Sequence, residues 1–591
     1  MLDSPFWIDV FAYVHFGLAC LLYVVAVFLC ISGCDDFLFD LCHHARAAYR
    51  RLFVRPRYPR LTPADLASGV ERRTAILIPV WQEEAVIGPM LRDLTATLDY
   101  GHYAVFVGTY PNDAGTRNAV AEVARDDSRI RLVDVGRNGP SSKGDCLNAI
   151  LLAIRLEEAA TGTPFEIFVL HDAEDVVHPL ELRLFSRLVP RKDMVQLPVI
   201  PLEVSPFAFT AAHYMDEFAE HHSKDLTVRE WLTGGVPSAG VGCAFSRRAI
   251  ETLERANGGA AFDVRSLTED YAAAMTLQAH GLRLVFVRFS VQRIRRVNTL
   301  GGLCWRTVPE LVGTREYFPS TLGAAVRQKA RWLNGIAFQG WRRFGWRGRL
   351  GQRYALLRDR KAVATALFTM TANVVALSIT ALYLGKAARL IPDGYPALVP
   401  QGGWLFAVLV LNAFFLLHRV VHRAWYVYRL YGLAHALVSP VRLLWSNYVN
   451  FLACGLAFWQ VSRDLITGRH TRWAKTAHRF PSPAILGRYR KRMGDIVMER
   501  GLATQAQIAQ ALAEQERTPQ PLGQILVRNG ILTEQDMLAV VADQHRIFHH
   551  QQDMKSPPAR LAEMLDIPVR GMLVPRHSLG HPLDESSQGA E

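Results

Sequence analysis

Two acidic clusters in this chain have the residue types and spacing needed for chemistry on a charged substrate. The first, Asp172-Ala-Glu174-Asp175, directly follows an apolar run at residues 166–170. Paired carboxylates at the end of a strand suit a hard divalent ion such as Mg²⁺ or Mn²⁺, which takes oxygen ligands and shares them with substrate phosphates. The same residues also fit an acidic turn that caps a helix expected near Pro179. Asp172 and Glu174 are therefore candidate metal ligands, with a plain cap as the alternative.

The second cluster is Thr268-Glu269-Asp270, which precedes an expected helix at residues 271–280. An acidic residue at a helix start is common capping chemistry, because its side chain accepts hydrogen bonds from backbone N–H groups that have no helical partner. A carboxylate can also take the proton from a hydroxyl group that attacks a substrate. The cluster alone does not distinguish the two roles.

A third group, Gln328, Arg331 and Trp332, has a spacing of three and four residues. On a helix these side chains share one face. A mixed aromatic and polar face of this kind is usually a packing surface. Here it follows both acidic clusters and precedes an apolar run at residues 362–384.

An alternation of short apolar runs and longer amphipathic stretches must position these groups. It predicts a mainly parallel sheet with helices on both faces. Such sheets bind ligands beyond the carboxyl ends of their strands, so the polar residues that end the strands are the first candidates. The expected strands are residues 74–80, 104–109, 130–135, 166–170 and 195–199, and the expected helices begin near Glu83 and cover residues 115–125 and 143–158.

The first of several membrane-length apolar runs lies near the N-terminus. Residues 6–31 contain one acid and no Lys or Arg, which is enough to span a hydrocarbon core of about 30 Å. No basic region precedes the run as it would in a signal peptide. Basic residues follow it at 43–60 and precede the next run at 342–361. The positive-inside rule therefore predicts that the segment between the two runs is cytoplasmic.

Two further stretches follow the run at residues 362–384. Residues 404–421 are apolar enough to span, whereas residues 425–461 mix aromatic, basic and amide side chains around Ser439-Pro440. This second stretch fits either two interfacial amphipathic helices or a spanning hairpin. Both alternatives return the C-terminus to the cytoplasm.

Charge and cysteine content exclude other classes of function. The net charge is +13, but much of the excess lies beside the apolar runs, where anionic lipid headgroups explain it, so no nucleic-acid partner is expected. The eight cysteines are scattered without a C-x-x-C pair. This pattern predicts reduced thiols, no disulfide framework and no zinc site.

The acidic clusters, Gln328-x-x-Arg331-Trp332 and the apolar run, in this order, resemble the membrane-bound, processive family 2 glycosyltransferases over roughly residues 70–480. The resemblance implies that Asp270, with Glu269 beside it, is the general base that takes the proton of the acceptor hydroxyl. It also implies that Trp332 forms a stacking floor for the acceptor sugar, while Arg331 and Gln328 contact the diphosphate and the neighbouring acids.

The same resemblance extends to the donor side. Lys143 and Asn148 match the family's Lys-Gly-x-x-x-Asn segment, and the small residues 238–242 match its acceptor-side loop. Where the family has an Asp pair after the second strand to hold the base and ribose, this chain has only Asn112-Asp113. Asp113 is the expected substitute, and the identity of the nucleotide stays open.

An internal repeat begins after Pro483. Gly494, Gly501 and Gln515 recur 29 residues later as Gly523, Gly530 and Gln544, and three matches in register indicate a duplicated helical unit. The unit fits a small bundle for packing or dimerisation. It also closely resembles the MshEN domain, in which each of two motifs binds one guanine of cyclic di-GMP. That resemblance assigns ligand contacts to Arg492, Gly494, Gln515, Leu522, Gly523 and Gln544.

The order of these parts resembles the bacteriophage N4 adsorption protein B family of bacterial inner-membrane proteins. It implies a GT-A-like, Rossmann-related α/β domain with transmembrane helices and a small all-α C-terminal module. The expected segments are a transmembrane helix and basic linker at 1–60, the catalytic domain at 61–350, transmembrane and interfacial helices at 361–461, the MshEN-like module at 487–548, and a tail at 549–591.

The expected function is that of a multi-pass inner-membrane enzyme with catalytic and C-terminal domains in the cytoplasm. It would transfer a sugar from a nucleotide donor to a growing glycan, with inversion, under activation by cyclic di-GMP. Its product or an outer-membrane exporter would be what a phage meets. The alternatives are a single transfer to a lipid carrier, and an idle scaffold that senses cyclic di-GMP and docks an outer-membrane phage receptor.

Overall fold

A seven-stranded sheet with five fully buried inner strands forms the core of the computed structural model. The structure describes residues 5–299, 302–388, 398–399, 401–468, 478–490, 492–518 and 520–548. The strands, in chain order, are β1 (Thr74–Pro79), β2 (Tyr103–Thr109), β3 (Ile130–Asp134), β4 (Ile167–Leu170), β5 (Met194–Gln196), β6 (Val199–Pro201), β7 (Cys243–Ser246), β8 (Leu284–Phe286), β9 (Ser290–Thr299), β10 (Gly302–Leu311) and β11 (Thr314–Glu316).

The main sheet has the strand order β3-β2-β1-β4-β7-β5-β8. Its neighbouring strands are parallel except at β7, which is antiparallel to both β4 and β5. Every residue of β1 and β2 is buried, which explains why these strands are continuous apolar runs rather than alternating ones. The expected mainly parallel α/β sheet is confirmed.

Helices cover both faces of the sheet and extend beyond it. They are α1 (Pro5–Tyr49), α2 (Pro63–Ala67), α3 (Glu84–Thr97), α4 (Ala114–Asp126), α5 (Lys143–Thr161), α6 (Glu181–Leu188), α7 (Phe209–Glu220), α8 (Leu226–Thr233), α9 (Arg247–Ala256), α10 (Glu269–Ala279), α11 (Leu322–Leu333), α12 (Gly340–Phe344), α13 (Leu350–Ala387), α14 (Trp404–Tyr431), α15 (Leu433–Thr467), α16 (Pro483–Leu486), α17 (Met493–Glu499), α18 (Gln505–Arg517), α19 (Leu522–Arg528) and α20 (Glu534–Phe548).

The single strand expected at residues 195–199 is wrong. Two short strands take its place, and they lie in different sheets: β5 in the main sheet and β6 paired with β11. Pro198 lies between them and has no N–H group to continue a ladder. Its carbonyl instead accepts a hydrogen bond from the backbone N–H of Thr314 at 3.1 Å.

A long hairpin that the sequence did not predict joins the sheet domain to the C-terminal helices. Strands β9 and β10 pair along ten residues each. Trp305 on β10 donates a hydrogen bond to Glu516 at 2.9 Å, and Thr307 donates one to Gln505 at 3.1 Å. Ile294 on β9 belongs to the apolar core of the C-terminal helices.

Three helices of the described residues are long and apolar enough to cross a membrane: Ala12–Val54, Leu350–Ala387 and Trp404–Tyr431. Residues 425–461 form neither of the two expected arrangements. They comprise the end of α14 and one continuous helix, α15, which contains Pro440. The polar residues of α15 contact the sheet domain: fully buried Arg442 forms two bonds with Asp216, at 2.6 and 2.8 Å.

The C-terminal helices confirm the internal repeat. Helices α17 and α19 have equal length, and Met493 and Leu522 at their starts are 29 residues apart, as are the starts of α18 and α20. The glycine of each repeat packs against the other repeat: a Cβ at Gly494 would lie 3.7 Å from Leu522, and one at Gly523 would lie 3.2 Å from Met493.

Candidate active site

A buried histidine organises the acidic turn that follows β4. His171 lies between two carboxylates, with its ring nitrogens 2.8 Å from Asp175 and 2.7 Å from Glu181. Asp175 also accepts a hydrogen bond from the backbone N–H of Asp172 at 3.0 Å. Asp175 and Glu181 are therefore used in holding the turn, while the side chain of Asp172 keeps 32% of its surface exposed toward the cleft.

Lys143 brings a positive charge to this turn. It is the first residue of α5, and its Nζ lies 2.5 Å from Oδ1 of Asp172. Burial disfavours the charged form of Lys143, but attraction to Asp172 and then to Glu269 outweighs burial and raises its pKa. Lys143 is therefore a permanent cation between the two acidic clusters.

The loop before β7 covers Asp270. Gly240 has a φ of +78°, and a Cβ at this position would lie 2.8 Å from Oδ2 of Asp270. Gln196, at the end of β5, fixes the loop: its Oε1 accepts from the N–H of Ala239 at 2.8 Å, and its Nε2 donates to the carbonyl of Val241 at 2.9 Å. Only glycine fits such a close approach with this backbone conformation.

Burial and repulsion between like charges raise the pKa values of Glu269 and Asp270, which start α10. Burial, with repulsion from Asp270, raises the pKa of Glu269 to about 7, against the attraction of Lys143 and Arg331. Burial also raises the pKa of Asp270, and Lys143 opposes this most. A carboxyl group with a raised pKa is a stronger base than one in water.

The helix that carries Gln328, Arg331 and Trp332 leads into a turn that packs against the acidic loop at residues 267–270. It continues into a π-helical turn at Asn334–Gln339, where a Cβ at Gly335 would lie 2.3 Å from the Thr268 hydroxyl. The Gln339 side chain accepts a hydrogen bond from the N–H of Leu267 at 2.9 Å. The charge of Arg331 consequently acts on both acids of the pair.

Trp332 faces a different space from the acids. It lines a cavity of about 450 Å³ between the sheet domain and the long helices, together with Lys329, Tyr354 and Arg358. Gln328 is half-buried, and its Oε1 has no hydrogen-bond partner in the described structure. Trp332, the expected sugar floor, therefore lines the cavity beside the long helix α13.

Two expected donor-side residues make local structural contacts. Asn148 exchanges two hydrogen bonds with the backbone of Phe262, at 2.8 and 2.9 Å, and so ties α5 to the loop before α10. Asp113 is buried at the start of α4 and accepts hydrogen bonds from the backbone of Gln82 and Thr116. Their contacts with a nucleotide stay predictions.

Sequence reasoning missed two residues that act on the acidic turn from distant segments. Glu316 is the last residue of β11. Burial and repulsion from Asp175 and Glu174 raise its pKa. His478 lies 3.2 Å from Glu174 and 2.8 Å from Glu83. Burial, with repulsion from Asp172, raises the pKa of Glu174 to about 8, although His478 opposes this. Neither residue has a nearby sequence motif that could have revealed it.

The residues expected to bind cyclic di-GMP differ in accessibility. Arg492 is exposed at the start of α17, whereas Gly494 and Gly523 are buried between the repeats. Leu522 is half-buried, and Gln515 donates a hydrogen bond to the carbonyl of Gln520 at 2.9 Å. The side chain of Gln544 and the tail at 549–591 lie outside the described residues.

Comparisons with known proteins show which family the chain is similar to. The model of the Glycosyl transferase family group 2 matches residues 167–392. The chain is 40% identical over 561 residues to the Bacteriophage adsorption protein B of Escherichia coli (strain K12) and to the Bacteriophage N4 adsorption protein B of Escherichia coli O157:H7, covering 94% of this chain and 75% of each relative.

Solved structures of glycosyltransferases also resemble the chain. The mannosyltransferase PcManGT from Pyrobaculum calidifontis, solved with GDP-Man and Mn²⁺, is 16% identical with a TM-score of 0.41, covering 72% of this chain and 99% of that one. The glucosyl-3-phosphoglycerate synthase from Mycobacterium tuberculosis is 17% identical with a TM-score of 0.22, covering 33% of this chain and 65% of that one.

Proposed function

The chain belongs to the bacteriophage adsorption protein B family, and from that premise we propose how this family 2 glycosyltransferase works. It transfers a sugar from a nucleotide donor to a growing glycan in one displacement, which inverts the anomeric centre. The observation that carries the proposal is the contact of Lys143 with Asp172, next to a half-buried base, Asp270, under a glycine loop.

In the proposed reaction Asp270 takes the proton of the acceptor hydroxyl as that oxygen attacks the anomeric carbon. Burial keeps the pKa of Asp270 high, which strengthens the base. Lys143 and Arg331 are positive and attract the diphosphate that leaves on the opposite side. Gly240 leaves room for the acceptor hydroxyl beside the base, because it has no side chain.

The acidic turn fits a divalent ion. Asp172, Glu174, Asp175 and Glu316 share one small region, and the pKa values of the last three are raised by burial and by mutual repulsion. Lys143 and His478 offset only part of this negative charge, and Mg²⁺ or Mn²⁺ held by Asp172 and Glu174 would offset more of it. When bound, the ion would neutralise charge on the departing diphosphate.

The acceptor reaches the base from the membrane side in this proposal. The cavity beside Trp332 is bounded by the sheet domain and by α13, and Tyr271, next to the base, donates a hydrogen bond to Asp359 of α13 at 2.7 Å. A flat ring at this entrance suits the end of a glycan. An acceptor on a lipid carrier would enter the same way, and this single transfer is the second candidate.

Purified full-length protein in lipid nanodiscs tests the proposal with a panel of labelled nucleotide sugars. We expect one donor to be consumed, with a product whose new bond has the anomeric configuration opposite to that of the donor. Product size separates the two candidates: a ladder of lengths supports a growing glycan, and one added sugar on an organic-soluble lipid supports the carrier. Retention of configuration would contradict the single displacement.

We further propose that cyclic di-GMP binds the C-terminal repeat and activates transfer. Two similar helical units suit a ligand with two guanines, and the exposed guanidinium of Arg492 can stack on one of them. The second unit has Pro521 at the equivalent place, so the two halves bind differently.

Two segments of the chain connect the repeat to the acidic turn and support such coupling. The segment before α17 carries His478, which forms an ion pair with Glu174, a proposed metal ligand. The hairpin that contacts the repeat leads through Arg315, whose backbone pairs with Val176, to Glu316. Movement of the repeat can therefore release Glu174 without touching Asp270.

Calorimetry on the full-length protein tests the regulatory site. Arg492→Ala should weaken cyclic di-GMP binding by about 1–2 kcal/mol, or about 5- to 30-fold, and reduce stimulated transfer while the basal rate stays. Arg517→Ala removes another exposed arginine of the same repeat and should leave binding unchanged. Equal binding by both variants, or no binding by the wild type, would leave the repeat as a packing module.

The proposed location is the bacterial inner membrane, with both catalytic and C-terminal domains in the cytoplasm. Three candidate spans give one span before the sheet domain and two after it, so the repeat is on the side of its cytosolic ligand. A phosphatase fused after residue 548 should be inactive, and activity would contradict this topology.

The relatives' names link them to phage adsorption, and we propose that the glycan or its outer-membrane exporter is what the phage contacts.

A further inference from the structure

Helices α1 and α14 present two pairs of metal-binding side chains to each other. Asp40 and His44 are four residues apart on α1, and His418 and His422 are four residues apart on α14. Residues at this spacing lie on the same helix face. His418 lies near the end of the apolar run at residues 404–421, and the other three lie beyond the apolar runs, at the ends that carry the basic residues.

The distances among three of these side chains match a coordination shell better than hydrogen bonds. Oδ2 of Asp40 lies 3.6 Å from Nδ1 of His418 and 3.4 Å from Nδ1 of His422. Hydrogen bonds between such atoms are about 2.7–3.2 Å long. Two ligands about 2.0–2.2 Å from a zinc ion at a tetrahedral angle are about 3.3–3.6 Å apart.

The remaining contacts leave these atoms available. Nδ1 of His422 is buried and has no hydrogen-bond partner in the described structure. Lys224 forms an ion pair with Oδ1 of Asp40 and so accounts for one oxygen of that carboxylate. This ion pair does not explain why the imidazoles of His418 and His422 both face the other oxygen, Oδ2. The ring of His44 lies 5.4 Å from that of His422, edge to face.

Lys224 and the acidic side chains around it lie beside the cluster. Lys224 contacts Glu220 at 2.9 Å and Asp225 at 3.7 Å, in addition to Asp40. Arg423 contacts Glu220 at 3.0 Å. Three carboxylates therefore surround Lys224, while Arg419 also acts on Glu220 and Arg358 on Asp225.

We propose that Asp40, His418 and His422, with His44 as fourth ligand, bind a structural Zn²⁺ ion. Imidazole and carboxylate are ligands that zinc prefers, and a closed set of four protein ligands is typical of a structural site. The scattered cysteines predicted no zinc site, but these ligands are histidine and aspartate. The ion would clamp α1 to α14 and, through Lys224 and Glu220, fix the sheet domain on the membrane helices.

Metal analysis of the full-length protein, purified with a tag that contains no histidine and without chelator, tests the site. We expect about one zinc per chain in the wild type and its loss in the His418→Gln/His422→Gln variant. His102→Gln, an exposed histidine elsewhere, and Asp172→Asn, in the proposed catalytic metal site, should both keep it. Added Zn²⁺ should raise the melting temperature of the stripped wild type but not that of the double variant.

Co²⁺ titration of the stripped wild type removes the dependence on variants that fold poorly. A tetrahedral site should give strong visible absorption bands that Zn²⁺ abolishes. No zinc in the wild type, zinc retained by the double variant, or Co²⁺ without such bands would each overturn the proposal.

Discussion

Replacing Asp270 with asparagine separates catalysis from donor binding. The fold should tolerate the change, because Oδ1 of Asp270 accepts a hydrogen bond from the N–H of Tyr271 at 2.8 Å and the asparagine carbonyl can do the same. The approach of Gly240 is also kept, since the two side chains have the same shape. What is lost is the ability to accept a proton.

Loss of a general base typically lowers turnover by about 10²- to 10⁴-fold, or about 3–5 kcal/mol of barrier. Donor affinity should stay or improve, because a negative charge near Lys143 and the diphosphate is removed. Initial rates with the labelled donor and direct donor binding measure both. Asp263→Asn is the matched control: it removes a carboxylate from the same loop that pairs with Arg343. Equal turnover in the two variants would remove Asp270 from the mechanism.

The pH dependence follows from the same pair. Burial raises the pKa of Glu269 from 4.5 to about 7 and that of Asp270 in the same direction, so kcat/KM should still rise with pH above the range where an ordinary carboxyl group titrates, and then level off. Because the pKa of Glu269 is raised, this group stabilises the folded protein fully below pH 4.5, and the stabilisation is lost as pH rises through about 7. The loss in the free energy of unfolding is about 3 kcal/mol. Asp270→Asn removes the repulsion and should melt at a higher temperature than the wild type at pH 8. A lower melting temperature there would contradict the charge argument.

Three further changes test other parts of the structure. Asp172→Asn should abolish metal-stimulated donor binding, measured with and without EDTA; donor binding by the wild type that EDTA does not affect would contradict the metal role. His478→Ala should raise basal transfer in the absence of cyclic di-GMP, because it frees Glu174; a lower basal rate would contradict the blocking contact. Arg442→Met should destabilise the protein by about 3–5 kcal/mol, because it leaves buried Asp216 without its partner; chemical denaturation measures this, and a change below about 1 kcal/mol would show that the pair is exposed in solution.

The strand-end chemistry could be predicted from the sequence because its signals are local. Each acidic cluster directly adjoins the element that positions it: Asp172 follows β4, and Asp270 lies in the first turn of α10. The parallel sheet then brings the two together, as its topology requires. Lys143 was predicted from its family motif, and its position at the start of α5 puts it between both clusters.

The residues that the sequence did not reveal reach the site by tertiary packing. Gln196 fixes the glycine loop across the sheet, and His478 comes from nearly 400 residues beyond its partner Glu83. Helix α15 was misjudged for the same reason. Arg442 seemed to belong to an interfacial surface, but its charge is paired with Asp216 of α7, a contact that no local pattern encodes.

The acidic turn links regulation to catalysis through its charge. Its carboxylates are too close to remain ionised together without a cation, and His478 supplies one: although burial opposes it, attraction to Glu174 raises the pKa of this histidine. A metal-bound donor would supply another. If the two cations compete for Glu174, a ligand that withdraws His478 must strengthen donor binding, and by linkage the donor must strengthen binding of that ligand by the same factor. Cyclic di-GMP affinity measured with and without donor and metal should therefore differ by the same ratio as donor affinity measured with and without cyclic di-GMP. His478→Ala should abolish both differences while leaving each ligand able to bind alone.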